Sequence, residues 1–207
     1  MKKSKYTRKK NQQQSESSTS LSDVNNSLKF IEEHLWNNEF KKLIKKPNFL
    51  HSLSALSLYK VGNHSNQEIY RLRQNVRNNC RFCLGQIRYN GDAQNFADLV
   101  NVEYGRVLSI AFCTAGGIGE EQDFEIYNGL CYINLFLRNL HEGRYYRQSS
   151  FQPLPLLARR TEEQMEEEGA SEELEAQMEN NGFNLNSIRN WAKFAKTATL
   201  NCFINQD

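Results

Sequence analysis

The sequence predicts an all-α fold: an antiparallel four-helix bundle with a disordered basic N-terminal arm and a C-terminal helical extension. Three observations carry this. Apolar residues recur at i, i+4 and i+7 over several long stretches, cap signals precede some of those stretches, and no stretch sustains the apolar/polar alternation of a half-buried strand. At 207 residues the chain is long enough to bury a substantial core without disulfides or metals.

Residues 1–21 are rich in Lys, Gln and Ser and nearly free of large apolar groups, which predicts disorder. Six of the first ten residues are basic, so the arm can neutralise phosphates; a solubilising tail fits the same composition. The core is expected over 22–160. Leu28, Ile31, Leu35, Leu43 and Ile44 fall near helical spacing until Lys46-Pro47 stops the run. A second helix opens at the capping box Ser65-Asn66-Gln67-Glu68 and carries Ile69, Leu72, Val76, Cys80, Cys83, Leu84 and Ile87 on one stripe.

A third helix is expected from the low nineties to about 113, with Phe96, Leu99, Val100, Val107, Leu108 and Ala111 inward. Gly116, Gly117 and Gly119 then mark a reversal. The fourth helix, 123 to about 141, places Ile126, Leu130, Ile133, Leu137 and Leu140 on one face. Beyond it, Thr161-Glu162-Glu163-Gln164 reads as a capping box opening an acidic helix, with Met165, Leu174 and Met178 as a thin apolar stripe. Asn184 can cap a last amphipathic helix carrying Leu185, Ile188, Trp191 and Phe194. Residues 161–207 thus form the extension.

Charge is unevenly distributed. The formal net charge is +2, yet nine glutamates lie between 162 and 179 with no Lys or Arg among them, so the rest of the chain holds 26 basic against 15 acidic side chains. A basic body and an acidic segment are one molecule. The lysines of the N-terminus are followed by no apolar run, which predicts neither a secretory signal nor a membrane anchor and places the chain in the cytosol. Five cysteines point to reduced thiols.

Enzyme chemistry finds little support. The glycine-rich 114–119 segment lacks the Lys-Ser/Thr of a phosphate loop and is followed by Glu120 and Glu121. The histidines at 34, 51, 64 and 141 are scattered, no nucleophilic set is visible, and no cofactor is expected. Cys80 and Cys83 have the spacing of half a zinc site, but they lie on the apolar stripe of a helix and no second such pair exists, which favours the core.

Basic residues do have a pattern. Arg71, Arg73, Arg77, Arg81 and Arg88 recur along the second helix, and Arg77 and Arg81 stand at i, i+4 off the apolar stripe. With Tyr70 and Tyr89 near its ends, this composition suits a surface that holds single-stranded nucleic acid by charge and stacking; a merely solvated face suits it equally. Arg106 and Arg147 complete the expected RNA contacts. Tyr145, Tyr146 and Phe151 follow the longest apolar helix, where a core must be closed, and are expected to pack.

The stretch YINLFLRNLHEGRYYRQSSF, Tyr132 to Phe151, resembles the end of the central bundle in coat proteins of rod-shaped helical plant viruses, the tobamovirus-like group. The resemblance implies a four-helix bundle stacked side by side into a helical rod, with genomic RNA clamped between successive turns and the 114–121 segment near the rod axis. It implies a capsid subunit, found in the virion and the host cytoplasm, whose partners are single-stranded RNA and copies of itself. The alternative is a small RNA-binding regulatory protein, such as a viral silencing suppressor, with or without a zinc ion on its cysteines.

Overall fold

The computed structural model describes residues 20–35, 37, 42–59, 67–113, 123–145, 149–180 and 187–200, and within them the chain is all-helical, without a named strand. The basic arm up to residue 19, the box residues Ser65 and Asn66, the glycine-rich 114–119 segment, Tyr146, Arg147, Asn184 and Leu185 lie outside the described residues.

The first helix, α1, spans 20–34 and buries Leu21, Asn25 and Leu28 on one face. Asn25 is a polar group on an apolar stripe, so it must be hydrogen-bonded to be tolerated there. Its amide donates to the Leu21 and Leu72 carbonyls, both at 3.0 Å, and its oxygen accepts from Asn79 at 3.3 Å, which fixes α1 against α4 (Gln67–Asn90).

A short turn, α2 (42–44), precedes α3 (Pro47–Ser57). Pro47 therefore opens a helix as well as ending a run. Its missing N–H and fixed φ suit the first helical position, a use of proline that a breaker reading overlooks. The 24 residues of α4 span about 36 Å. Its predicted stripe is buried apart from Leu72, which is half-buried.

Asp92 caps α5 (Ala93–Asn101): its carboxylate accepts from the Asn95 N–H at 3.0 Å, and the Asn95 side chain accepts from the Asp92 N–H at 3.1 Å. The helix expected to run on to 113 breaks here instead. Glu103 adopts a left-handed conformation (φ 59°) and α6 (Tyr104–Phe112) starts afresh. The Val100 and Val102 carbonyls released near the break are taken by Gln164 Nε2 at 2.9 Å and Ser54 Oγ at 2.7 Å. These long-range partners, invisible to local periodicity, favour the interruption.

The helix α7 (Asp123–Glu142) matches its expected span and buries all five predicted stripe residues. It ends at Gly143 (φ 74°), whose N–H donates to Asn139 O. A Cβ at Gly143 would stand 2.6 Å from the Phe151 carbonyl oxygen, so both the positive φ and the close backbone favour glycine. Arg144 and Phe151 then pair as an isolated antiparallel bridge.

The acidic segment departs most from expectation. α8 runs from Pro155 to Glu167, so Thr161 lies mid-helix, buried, with its hydroxyl donating to the Leu157 carbonyl at 2.9 Å; it caps nothing. Pro155 at the first turn sets the start. Gly169 (φ 67°) separates α8 from α9 (Ala170–Gln177). Met165 and Leu174 are buried as expected, and Glu173 is buried too, accepting from Gln177 Nε2 at 2.9 Å.

The last helix, α10 (Ser187–Leu200), lies against α7 and α9. It buries Ile188, Ala192, Ala195 and Ala198, whereas Phe194 is exposed and Trp191 half-buried, so the inward face is rotated from the aromatic stripe toward the alanines. Small side chains let helix backbones approach closely. One contiguous core runs from Leu21 to Ala198 and includes the acidic helices.

Candidate nucleic-acid interface

The arginines of α4 occupy different environments from those a solvated face would give them. Arg71 is exposed, but Arg73, Arg81 and Arg88 are buried and Arg77 is 0% exposed. The expectation that Arg77 and Arg81 line an open polar face is corrected by this burial: α1, α3 and α7 all pack on α4, so little of its circumference meets solvent. Long arginine stems can join an apolar interior while the guanidinium reaches backbone carbonyls or rings. Arg77 Nη1 donates to the Tyr59 carbonyl at 3.5 Å. The Arg88 guanidinium lies 5.7 Å from the Tyr132 ring centroid and beside the Tyr104 hydroxyl, whose pKa is raised by burial against the opposing pull of that cation.

Arg106 is 44% exposed and committed to carboxylates, Glu168 at 2.7 Å and Glu103 at 3.3 Å. These partners, Glu103 first, raise its pKa. Arg147 is outside the described residues. The structure therefore does not gather the six predicted arginines that are described into one exposed surface. Arg77→Ala should lower the thermal midpoint, costing about 2 kcal/mol or more through lost packing and an orphaned carbonyl, whereas Arg71→Ala should leave melting unchanged. Equal melting of the two variants would contradict this assignment.

Cys80 and Cys83 are both enclosed in the core. Burial pushes the Cys83 thiol up to about 12 and raises that of Cys80 further. Such thiols are held protonated and pack as small apolar groups. Among the described residues no group of three or more His, Cys, Asp or Glu side chains is placed to hold a metal ion. None of the described helices is long and apolar enough to cross a membrane.

Arg144 has a role that its sequence neighbourhood did not disclose. Its guanidinium donates to the carbonyls of Arg88 (3.2 Å), Tyr89 (3.1 Å), Gly91 and Ser149 (2.8 Å), and lies 5.6 Å and 5.1 Å from the Phe96 and Phe151 ring centroids. One planar cation satisfies the carbonyls at the C-terminal end of α4 and ties them to the turn after α7. Phe151 packs on Phe96 at 4.8 Å, as its expected closing role requires. Tyr145 does not share that role: it is 58% exposed.

A cleft of about 280 Å³ opens between α4 and α7. Asn78, Asn79, Arg81 and Phe82 line it from α4, and Phe124, Glu125, Asn128 and Tyr132 from α7. Leu108, Ala111 and Gly129 line it where α6 meets α7, and Glu32 comes from α1. The amides at 78, 79 and 128 share no motif spacing with the aromatics, so periodicity could not have assembled them. Searches against protein-family models, curated proteins and solved structures each return no match.

Proposed function

We propose that this chain is a non-enzymatic, RNA-binding coat or nucleocapsid subunit that self-associates into a helical polymer. The observation that carries the reading is the Tyr132–Phe151 segment. Its resemblance to rod-shaped virus coat proteins coincides with a distinct construction: a long apolar helix, a left-handed glycine, and an Arg144/Phe151 closure locked onto the end of α4. On this reading α4, the α5–α6 pair and α7 belong to a four-helix bundle, with α8 to α10 added along α6 and α7.

Charge supports the same reading. The basic N-terminal arm and exposed Lys29, Lys42, Lys45, Lys46 and Arg71 can follow a phosphate backbone without reading sequence.

Negative-stain microscopy of the purified protein with and without single-stranded RNA tests the proposal. Discs or rods are expected, lengthened or stabilised by RNA. RNA affinity should fall steeply with salt, and deleting residues 2–10 should make the log-log slope shallower by about 0.7 for each phosphate that the arm no longer neutralises. Dispersed monomers under both conditions, with no RNA retained at low salt, would overturn it.

A further inference from the structure

We infer that the cleft between α4 and α7 holds one unpaired nucleobase of a single-stranded RNA. The inference rests on the RNA-binding reading and names a site for it that includes Arg81 alone of the predicted arginines.

Size comes first. At about 280 Å³ the cleft lies just below the range of pockets that enclose whole small ligands. It suits one planar group better than a length of chain.

Its chemistry is that of a base rather than a phosphate. Phe82 and Phe124, 36% and 53% exposed, bring phenyl rings to the cleft from opposite helices, and Tyr132 adds a third ring. Flat π-faces of this kind accept any base by stacking. Asn78, Asn79 and Asn128 supply side-chain amides, each able to donate and accept, as base edges also do; a phosphate only accepts. Glu32 and Glu125 set two carboxylates against the single cation of Arg81. A phosphate would be repelled here, whereas a base edge with N–H groups would not.

The walls are built before a ligand arrives. Asn78 Nδ2 donates to Glu125 Oε1 at 2.7 Å, tying α4 to α7 across the cleft, and Asn79 Nδ2 donates to Asn25 Oδ1 at 3.3 Å. Gly129 lets α7 approach α6 beneath them: a Cβ there would stand 3.2 Å from Ala111 Cβ. Two amides are thus oriented by protein partners beside rings that are partly exposed. A site that stacks a base while other parts of the molecule meet the backbone needs this division.

Fluorescence anisotropy with three probes tests the inference: a short labelled single-stranded RNA, the same strand carrying abasic riboses, and its fully paired duplex. Wild-type protein should bind the base-bearing strand about 5- to 100-fold more tightly than the abasic one, the range expected of stacking. Phe82→Ala with Phe124→Ala should reduce the base-bearing strand to the abasic level and leave abasic and duplex binding unchanged. Phe124→Tyr should preserve the difference. If the double variant melts early, Phe124→Ala alone carries the comparison, because that ring is the more exposed of the two, at 53%. Equal wild-type binding of both strands, or a double variant that weakens both alike, overturns the cleft assignment and leaves RNA binding standing. No binding of any probe overturns both. Loss of self-association with the base preference intact would make the cleft an interface between copies, and would also overturn the inference.

Discussion

Arg144→Ala is expected to be among the most destabilising single substitutions in this chain. The guanidinium serves four carbonyls, three from the end of α4 and one from the Ser149 turn. Hydrogen bonds from a charged donor contribute about 1.5–3 kcal/mol each, and a buried acceptor left unsatisfied costs about 1–3 kcal/mol. The four do not add, since they act as a unit, so a loss of about 3–5 kcal/mol is expected, or roughly 10 °C in Tm for a chain of this size. Denaturant unfolding should show a lower midpoint at unchanged slope. Arg144→Lys should recover little of the loss, because an ammonium cannot span four acceptors as the planar fork does. A loss under about 1 kcal/mol for Arg144→Ala would mean that water replaces the guanidinium without penalty.

Phe136→Ala should cost about as much for a different reason. The ring is 0% exposed, stacked on Phe96 at 5.2 Å and met edge-on by Tyr104 at 5.1 Å. Removing it forfeits its transfer energy and leaves a cavity that two large aromatics cannot collapse into, about 3–5 kcal/mol in all. Phe194→Ala is the control. That ring is exposed and meets the edge of Trp191 at 5.6 Å, so its loss should stay within about 0.5 kcal/mol. Similar melting of the two variants would contradict the assigned core.

The helix starts show where local reading stops. α7 was legible residue by residue because Ile126, Leu130, Ile133, Leu137 and Leu140 repeat without interruption and acids precede them. Pro47 was expected to stop a run, yet it also opens a helix, as Pro155 does, since a missing N–H is harmless in the first turn. Thr161 carried a capping signature and sits inside α8, where its hydroxyl bonds back to Leu157. The break at Glu103 depends on carbonyl partners from α3 and α8, which no window of neighbouring residues contains.

The arginines of α4 were the least legible feature of the site. Arginine is normally a surface residue, and only the tertiary arrangement reveals that α4 is wrapped on several sides. A faint signal was present: Arg73, Arg77 and Arg81 recur every fourth residue beside the apolar stripe, so a slightly wider inward face would include them. Arg144 could not be read as a clamp, because three of its four acceptor carbonyls lie more than fifty positions away. Burial has thus separated the basic residues that organise the fold from those turned toward solvent.

The alanine face of α10 on α7 sets a schedule for synthesis. α7 is complete at Glu142, but the helix that covers one side of it ends at Leu200. At ribosomal rates of about 5–20 residues per second, the 58 residues between those positions take roughly 3 to 12 s to appear. During that interval the outer side of α7 has no native cover. Closure of the core over α7 therefore waits on the ribosome until α10 has been made.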